Sequence, residues 1–261
     1  MICYYSSTGN TELALRYIER NLSGIEFDFY NILDGGDLHF DNYQVVGFAT
    51  FTDWWGIPYI YEAFLDSLAL QHNKYAFILN TYAHLSGKTL KDLYDKVSER
   101  GFKVIAAHSL RTPASYPPAI AKGRTFAEAP SFKEFWAFNR FISQLNTLIA
   151  KITRGINVRE TKLWIGIVNS LVRRYPRSKA RDFMGKKFVE KKLCTKCGTC
   201  INSCPGKAIT LTSKVVFDES KCYGCWSCFN HCPQKAIHTE NIRGVGHYPG
   251  PSNQLRVKLK T

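Results

Sequence analysis

The sequence lacks the features of a membrane-embedded or exported protein. None of its apolar runs reaches 18 uninterrupted residues, so no membrane-spanning helix is predicted. Its first residues, Met1 to Tyr5, contain no basic stretch and no small-residue cleavage site, so no secretory signal is predicted and we expect a cytoplasmic protein. No Gly-x-Gly-x-x-Gly motif follows the first apolar run, which disfavours a nicotinamide dinucleotide site.

Acidic residues are also scarce, 21 against 35 lysines and arginines, and the imbalance is local. Residues 1–110 carry a net charge of −5, residues 111–192 a net charge of +13 and residues 193–261 a net charge of +6. The middle segment is therefore a distinct region with its own surface or partner. With 261 residues, 45% of them hydrophobic, the chain is long enough for two domains with apolar cores.

Cysteine is nearly missing from the part of the chain that precedes Cys194, where Cys3 stands alone. The other eight cysteines form two copies of the pattern Cys-x2-Cys-x2-Cys-x3-Cys-Pro, the first beginning at Cys194 and the second at Cys222. Both copies continue with Lys-Ala-Ile, at 207–209 and 235–237. Such an internal repeat predicts two copies of one loop-and-helix unit, related by a pseudo-twofold axis.

The spacing of these cysteines is typical of iron–sulfur clusters. Three thiolates at intervals of three surround one corner of an iron–sulfur cube, and the fourth, before proline, reaches the neighbouring cluster. Zinc sites, which usually use Cys-x2-Cys pairs with a longer spacer, and disulfides, which a reducing compartment disfavours, are the alternatives. The predicted ligands of one [4Fe–4S] cluster are Cys194, Cys197, Cys200 and Cys232, and those of a second are Cys222, Cys225, Cys228 and Cys204. The repeat resembles the bacterial-type two-cluster ferredoxins, which implies a small α+β domain.

The beginning of the chain predicts a phosphate site. A short apolar run is followed by a hydroxyl-rich turn and then by an amphipathic helix. The first N–H groups of a helix lack partners and carry partial positive charge, and hydroxyl groups add further donors for a phosphate. The residues of this turn are Ser6, Ser7, Thr8, Gly9, Asn10 and Thr11. A simple helix cap is the alternative explanation for the serines and threonines.

Strands and helices alternate as far as residue 110. Five predicted strands with intervening helices indicate a doubly wound parallel sheet. In the flavodoxin-like strand order, a ligand lies at the switch between the first and third strands. The predicted strands lie near residues 1–5, 27–32, 44–50, 75–80 and 103–109, and the helices that follow the third and fourth lie near 59–70 and 89–100.

Residues 1 to about 110 resemble the flavodoxins, whose phosphate loop carries the Thr-Gly-Asn-Thr pattern found at 8–11. The resemblance implies FMN, with its ring flanked by aromatic side chains from two further loops. These would be Trp54 or Trp55 and Tyr82, although core packing is the alternative explanation for the tryptophans. Gly56 would stand where a peptide turns over to bond the reduced ring. Beyond the phosphate turn, the implied FMN contacts are Thr50, Phe51, Thr52, Trp54, Trp55, Gly56, Thr81, Tyr82, Ala83 and Gly87.

The basic middle segment predicts a pair of helices. Apolar residues recur at helical spacing from Phe135 to Ile152, and a second apolar stretch runs from Leu163 to Leu171, with Arg173 near its end. Residues 131–175 would pack against the sheet or the ferredoxin unit, lie on a membrane surface, or dock an acidic redox partner. Nucleic acid is not expected, because the basic residues accompany redox motifs. The predicted divisions of the chain are 1–110, 111–190, 191–240 and 241–261.

Together, the two ends of the chain resemble the flavodoxin–ferredoxin fusion proteins of anaerobic bacteria and archaea. This resemblance implies electron transfer between FMN, two [4Fe–4S] clusters and a redox partner protein. The alternative is a flavin-dependent reductase of a small molecule that is fed by the clusters. No catalytic residue is assigned, and the direction of electron flow and the oligomeric state stay open.

Overall fold

The computed structural model describes residues 1–172 and 174–260, so Arg173 and Thr261 lie outside the described residues. The first part of the chain forms a parallel five-stranded sheet in the order β2-β1-β3-β4-β5. This order confirms the predicted flavodoxin-like, doubly wound architecture. The strands are β1 (Ile2–Tyr4), β2 (Phe29–Asn31), β3 (Val45–Phe51), β4 (Lys74–Tyr82) and β5 (Phe102–Arg111).

Helices cover both faces of the sheet because successive strand residues point to opposite sides. In β1, Ile2 and Tyr4 belong to the apolar cluster on one face, and Cys3 belongs to the cluster on the other. Two helices, α1 and α5, cover the first face, and two others, α2 and α3, cover the second. Their bounds are α1 (Asn10–Asn21), α2 (Tyr59–Ser67), α3 (Thr89–Glu99) and α5 (Phe132–Thr153), with the short α4 (Pro117–Ala121) between α3 and α5 in the chain after β5.

The first predicted helix of the middle segment forms, and it packs on one face of the parallel sheet. Ser131 begins α5 with a capping box, in which its hydroxyl accepts from the Glu134 N–H and Glu134 accepts from the Ser131 N–H. Phe138 and Leu145 are fully buried against the same cluster as β1 and β5. The predicted boundary at residue 110 therefore falls before a helix that packs on the sheet.

The prediction of a second helix from Leu163 to Leu171 is wrong in its extent. Residues 157–166 have no regular structure, and only the short α6 (Ile167–Leu171) forms, followed by the unpredicted α7 (Arg177–Met184). Gly155 and Gly166 adopt positive φ angles of 74° and 73°, which interrupt a right-handed helix. Most of the apolar side chains of this stretch are exposed, so no packing favours a longer helix.

The cysteine-rich part is a small α+β unit, as predicted, and its two copies have the same backbone. Each element of one copy has a counterpart in the other, and so do the positive φ angles at Lys196 and Gly224, Gly198 and Trp226, and Lys207 and Lys235. The paired elements are β6 (Lys187–Val189) with β8 (Val215–Phe217), α8 (Thr199–Asn202) with α9 (Ser227–Asn230), and β7 (Ile209–Leu211) with β9 (Ile237–Thr239). Strand β6 pairs with β9, and β7 pairs with β8, both antiparallel.

The C-terminal residues return to the parallel sheet. The last helix, α10 (Asn253–Lys258), begins at Ser252, whose hydroxyl accepts from the Leu255 N–H. Leu255 and Leu259 are fully buried in the cluster on the α1 and α5 face. Among the helices of the described residues, none has both the length and the apolar character needed to span a bilayer.

His108 makes the stability of this core dependent on pH. Its ring stacks on Phe138 and Phe141, with centroid distances of 5.5 and 5.1 Å, and burial lowers the pKa of His108 to about 4. The unfolded chain binds a proton below about pH 6.5, while the folded chain does not until about pH 4, so stability falls as pH falls through this window. His108→Phe should remove about 1 kcal/mol of the loss in unfolding free energy between pH 7.5 and 5.5.

This difference is measured by urea unfolding, followed by far-ultraviolet circular dichroism at the two pH values. His72→Gln, at an exposed histidine, is the matched control and should retain the wild-type loss. An unchanged loss in His108→Phe would show that His108 is not the source of the acid sensitivity.

Candidate functional site

The eight C-terminal cysteines line two separate cavities, four cysteines in each. None of the nine cysteines, all of which lie within the described residues, forms a disulfide. We call one group of four the distal cavity and the other the proximal cavity, because the second borders the parallel-sheet domain. The cysteines of the distal cavity are Cys194, Cys197, Cys200 and Cys232, and those of the proximal cavity are Cys204, Cys222, Cys225 and Cys228.

Backbone N–H groups point at several of these sulfurs. The Ala208 N–H donates to Cys204 Sγ at 3.3 Å, and its counterpart in the second copy, the Ala236 N–H, donates to Cys232 Sγ at 3.2 Å. The Gly224 N–H donates to Cys222 Sγ at 3.4 Å. Such donors stabilise thiolates, and hydrogen bonds to sulfur also tune iron–sulfur clusters.

Each cavity has a donor set that suits an iron–sulfur cluster. Within residues 1–172 and 174–260, no three His, Cys, Asp or Glu side chains converge closely enough to hold one metal ion. Instead, four thiols stand around each cavity. Burial raises the pKa of the Cys228 thiol well above its usual range, and a bound cluster would displace that proton.

The hydroxyl-rich turn lies between β1 and α1, at the carboxyl edge of the sheet. Gly9 is the N-cap residue of α1, with a φ of 87°, and it has no side chain that could cap the helix. Instead, Ser6 Oγ accepts a hydrogen bond from the Glu12 N–H at 3.3 Å. The other N–H groups at the start of α1 point out of the helix, toward the hydroxyl-rich turn. Thr8, at 8% exposure, lines the inner side of the same turn.

Two side chains of the turn are engaged within the protein. Asn10 Nδ2 donates to the Pro113 carbonyl at 3.1 Å, and Asn10 Oδ1 accepts from the Tyr248 hydroxyl at 2.6 Å. The hydroxyls of Thr11 and Thr81 lie 2.8 Å apart. These two side chains therefore tie the turn to β4 and to the loop after β5, and their backbone N–H groups are what remain for an anion.

The C-terminal segment crosses this turn, which the sequence did not indicate. A Cβ at Gly9 would lie 2.9 Å from Pro251 Cδ, so glycine is required here both for its φ and for this close approach. The Tyr248 N–H donates to Asn230 Oδ1 at 3.1 Å, and Asn230 Nδ2 donates to the Ser115 carbonyl at 2.9 Å. We call residues 246–252 the strap, because they join the cysteine-rich domain to α1.

The predicted tryptophans form a tight turn after β3. Asp53 and Gly56 exchange backbone hydrogen bonds, while Trp54 and Trp55 take φ angles of 50° and 64°. Positive φ at both central residues defines a type I′ turn, which strains side chains with a Cβ. Gly87 packs against Trp55, where a Cβ would lie 2.6 Å from Trp55 Cβ, and a Cβ at Gly56 would meet Arg174.

The remaining predicted residues lie at the ends of β3 and β4. The Thr50 hydroxyl is buried and, among the described residues, has no hydrogen-bond partner, which suits a ligand contact. Thr52 Oγ1 accepts from Asn80 Nδ2 at 3.0 Å, Phe51 packs on Tyr5, and the Ala83 carbonyl accepts from Arg111. These contacts fix the loops at the edge of the sheet.

Tyr82 and the tryptophans are not brought together as an aromatic pair. Within the described residues, no ring contact joins Tyr82 to Trp54 or Trp55. Burial raises the pKa of Tyr82, whose phenol is also close to Glu134 and Arg111. The aromatic neighbour of both tryptophans is Tyr175, with centroid distances of 5.5 Å to Trp54 and 5.3 Å to Trp55.

A line of aromatic side chains joins the tryptophan turn to the proximal cavity. Tyr116 contacts Trp54 at 5.8 Å and Trp226 at 6.1 Å between ring centroids, and Trp226 lines the cavity. We call Trp54, Tyr116 and Trp226 the aromatic bridge. Beside it, the phenols of Tyr5 and Tyr223 interact electrostatically, and burial raises the pKa of both.

Sequence reasoning did not assign Trp226 and Tyr223 to the site, although the repeat carried a signal. At the equivalent positions, the first copy has Gly198 and Thr195. The second copy is thus more aromatic on the side that faces the sheet. The two copies share a backbone, and their side chains distinguish which one packs against the other domain.

Known proteins resemble each of the two parts of the chain. Residues 193–236 match the family model described as a 4Fe-4S dicluster domain. The chain is similar to a flavodoxin from the domain Archaea (15% identity, TM-score 0.44, covering 57% of this chain and 97% of that one) and to flavodoxin 1 from Bacillus cereus (16% identity, TM-score 0.41, covering 60% and 97%). It is also similar to rubredoxin oxygen:oxidoreductase from Desulfovibrio gigas (14% identity, TM-score 0.41, covering 58% and 36%). No curated protein matches the chain.

The structural likenesses are distant, so the fold assignment rests on strand order and packing. The chain joins a flavodoxin-like parallel-sheet domain to a 4Fe–4S domain. The predicted resemblance to flavodoxin–ferredoxin fusion proteins is confirmed at the level of these two parts.

The strap should loosen when its buried hydrogen bond to Asn10 is removed. Tyr248→Phe deletes the donor of the 2.6 Å bond and leaves the side-chain oxygen Asn10 Oδ1 unpaired. This should lower the free energy of unfolding by about 1–3 kcal/mol. We expect faster amide hydrogen exchange in residues 246–252, measured by mass spectrometry. Tyr43→Phe, which deletes an exposed 2.8 Å bond to Asp28, is the matched control and should leave this exchange unchanged.

Proposed function

We propose that this protein transfers electrons between an FMN at the carboxyl edge of the parallel sheet, two [4Fe–4S] clusters in the cysteine-lined cavities, and a redox partner protein. The observation that carries the proposal is the aromatic bridge. It links the tryptophan turn, where the FMN ring is expected, to the wall of the proximal cavity. A carrier with two kinds of redox centre needs such direct contact between its domains.

The cysteine-rich domain supplies two sets of four thiolates. Each set takes three sulfurs from one copy of the motif and the fourth from the other copy, since Cys204 belongs to the proximal cavity and Cys232 to the distal cavity. This crossing is the ligand pattern of two-cluster proteins. It also binds the two copies together, because neither cavity is complete without the other.

The sheet edge supplies the contacts that an FMN requires. Ser6, Thr8 and the first N–H groups of α1 would bind the phosphate, and Thr50 offers a buried hydroxyl without a partner among the described residues. The Trp54–Trp55 turn would lie against the ring. When bound, FMN supplies exchange of one or two electrons, whereas each cluster exchanges one.

The residues between the two sites exclude water and hold distances constant. Tyr5 is 2% exposed and Trp226 is 4% exposed. Their packing keeps bulk water out of the space between the tryptophan turn and the proximal cavity. The strap and the Asn230–Ser115 hydrogen bond hold the two domains in this position.

Cofactor content tests the proposal directly. Protein purified without oxygen should contain about eight irons, eight acid-labile sulfides and one FMN per chain. Cys204→Ser and Cys232→Ser are a matched pair, because they occupy equivalent positions in the repeat. Each should lower the iron content to about four per chain. Paramagnetic resonance of the reduced variants should reveal a different remaining cluster in each.

Other metal or flavin contents would contradict parts of this proposal. Zinc in place of iron would overturn the redox function. Eight irons without flavin, even after FMN is added, would remove the FMN site and leave a cluster protein. The same cluster remaining in both cysteine variants would contradict the crossed ligand pattern.

A flavin-dependent reductase is a second candidate, because an open cavity adjoins the tryptophan turn. Asp53, Trp54, Glu62, Arg174 and Tyr175 line it. The carrier and the reductase differ in what oxidises the reduced protein. Rapid reoxidation by electron-transfer proteins, without turnover of small-molecule acceptors, supports the carrier, and the reverse supports the reductase.

A peripheral contact with an anionic membrane is a further proposal for residues 131–175. Trp164, Ile167, Val168 and Leu171 are 83%, 72%, 65% and 76% exposed, an unusual clustering of apolar side chains on a surface. They lie in the segment whose net charge is +13. Apolar side chains within a basic surface suit the interface of a negatively charged bilayer.

This contact predicts lipid-dependent sedimentation. The wild-type protein should sediment with vesicles rich in anionic phospholipid and not with neutral vesicles. Trp164→Ser should lower the bound fraction several-fold, because tryptophan prefers the bilayer interface. Leu70→Ser is the control, since Leu70 is also exposed, at 67%, but lies outside residues 131–175. Equal binding by both variants, or none by the wild type, would contradict the membrane contact.

A further inference from the structure

A lysine side chain is buried in the wall of the proximal cavity. Lys187 opens β6, and its side chain is only 1% exposed. Its ammonium group donates to Glu219 Oε2 at 2.5 Å, and its side chain lines the proximal cavity together with Cys222. The Glu219 carboxylate faces outward, with 41% of its side chain exposed. The positive member of this pair is therefore on the cysteine side, and the negative member is on the solvent side.

The distal cavity has an apolar residue at the equivalent place. The counterpart of Lys187 in the repeat is Val215, which lines the distal cavity from the start of β8 just as Lys187 lines the proximal cavity from the start of β6. The two cavities have equivalent backbones, and each is lined by four cysteines of its own. A buried charge in one and a valine in the other is thus a difference that the repeat itself isolates.

Other charged residues near the cavities are more exposed. Lys221 lines the proximal cavity with a side chain that is 63% exposed and pairs with Asp218, and the exposed Lys196 lines the distal cavity. Water and salt screen such exposed charges strongly. A buried ammonium in the wall of the cavity is screened much less. Lys187 therefore dominates the electrostatic difference between the two cavities.

We propose that Lys187 makes the cluster of the proximal cavity easier to reduce than the cluster of the distal cavity, and so directs electrons from the distal cluster through the proximal cluster toward the sheet domain. Reduction adds one negative charge to a cluster, which the adjacent ammonium stabilises. The step moves one electron: the distal cluster is oxidised, the proximal cluster is reduced, and no bond forms or breaks. This inference rests on the proposed function, because it requires both clusters.

Lys187 also has structural contacts. Its backbone N–H faces Glu219 Oε1 at 3.4 Å, and its ammonium group reaches the Gly185 carbonyl at 3.4 Å. Lys187 is thus a positioning residue for the loop that follows α7 as well as a charge. The test needs variants that separate the two roles.

The experiment is a redox titration of the complete protein, loaded with its clusters and followed by paramagnetic resonance. Lys187→Met keeps an unbranched side chain and removes the charge. It should change the ratio of reduced proximal to reduced distal cluster by about tenfold, in favour of the distal cluster. Val215→Met, at the equivalent position, is the matched control and should leave the ratio unchanged. Lys187→Arg keeps the charge and should preserve the wild-type ratio.

Glu219→Gln keeps the test decisive if Lys187→Met fails to hold its cluster. This exposed substitution removes the compensating negative charge, so it should shift the ratio in the opposite direction, toward the reduced proximal cluster. The single-cluster variants Cys204→Ser and Cys232→Ser assign the resonance signals. An unchanged ratio in Glu219→Gln, or in a Lys187→Met protein with full iron content, would overturn the proposal.

Measurement of iron and flavin in the same wild-type sample separates this inference from the proposed function. Two clusters without FMN, together with the expected shift in Lys187→Met, would support the role of Lys187 and refute FMN as the final destination. Fewer than two clusters in the wild type would refute both proposals. Equal shifts of both clusters in Lys187→Met would refute the role of Lys187 and leave the electron-transfer function standing.

Discussion

The packing of Trp226 against Tyr116 is the contact on which the rest of the arrangement depends. It seats the cysteine-rich domain on the carboxyl edge of the parallel sheet, where ligands of this fold bind. The Asn230–Ser115 hydrogen bond holds α9 to the loop after β5. The strap adds a second connection, through the hydrogen bonds of Tyr248 to Asn230 and Asn10.

The two cavities combine equivalent backbones with different side chains. The two copies of the repeat agree in their strands, short helices and positive φ angles, because both have the same cysteine spacing. They differ at Trp226 against Gly198, which decides which cavity meets the sheet. They differ again at Lys187 against Val215, which decides where a charge is buried. The proximal cavity therefore has both the residue that packs against the sheet domain, Trp226, and the buried charge, Lys187.

The middle segment separates what periodicity can predict from what it cannot. The apolar stripe of α5 predicted a helix, and the sheet provides a face that buries Phe138 and Leu145. The next apolar stretch had a similar composition but meets no such face, and Gly166 interrupts it, so only the short α6 forms. Hydrophobic spacing predicts a helix reliably only where the apolar face of that helix is buried against another element, because this burial provides most of the helix's stability.

The sequence alone determined the parts whose chemistry is local. The cysteine spacing defined the thiolate sets, because a tight turn fixes which sulfurs converge, and the alternation of strands and helices defined the parallel sheet. Only the tertiary structure decided how these parts meet. The strap over Gly9, the hydrogen bond from Tyr248 to Asn10, and the contacts of Tyr116 with Trp54 and Trp226 join residues far apart in the chain. Contacts of this kind depend on how whole elements pack, and no local pattern of residues encodes them.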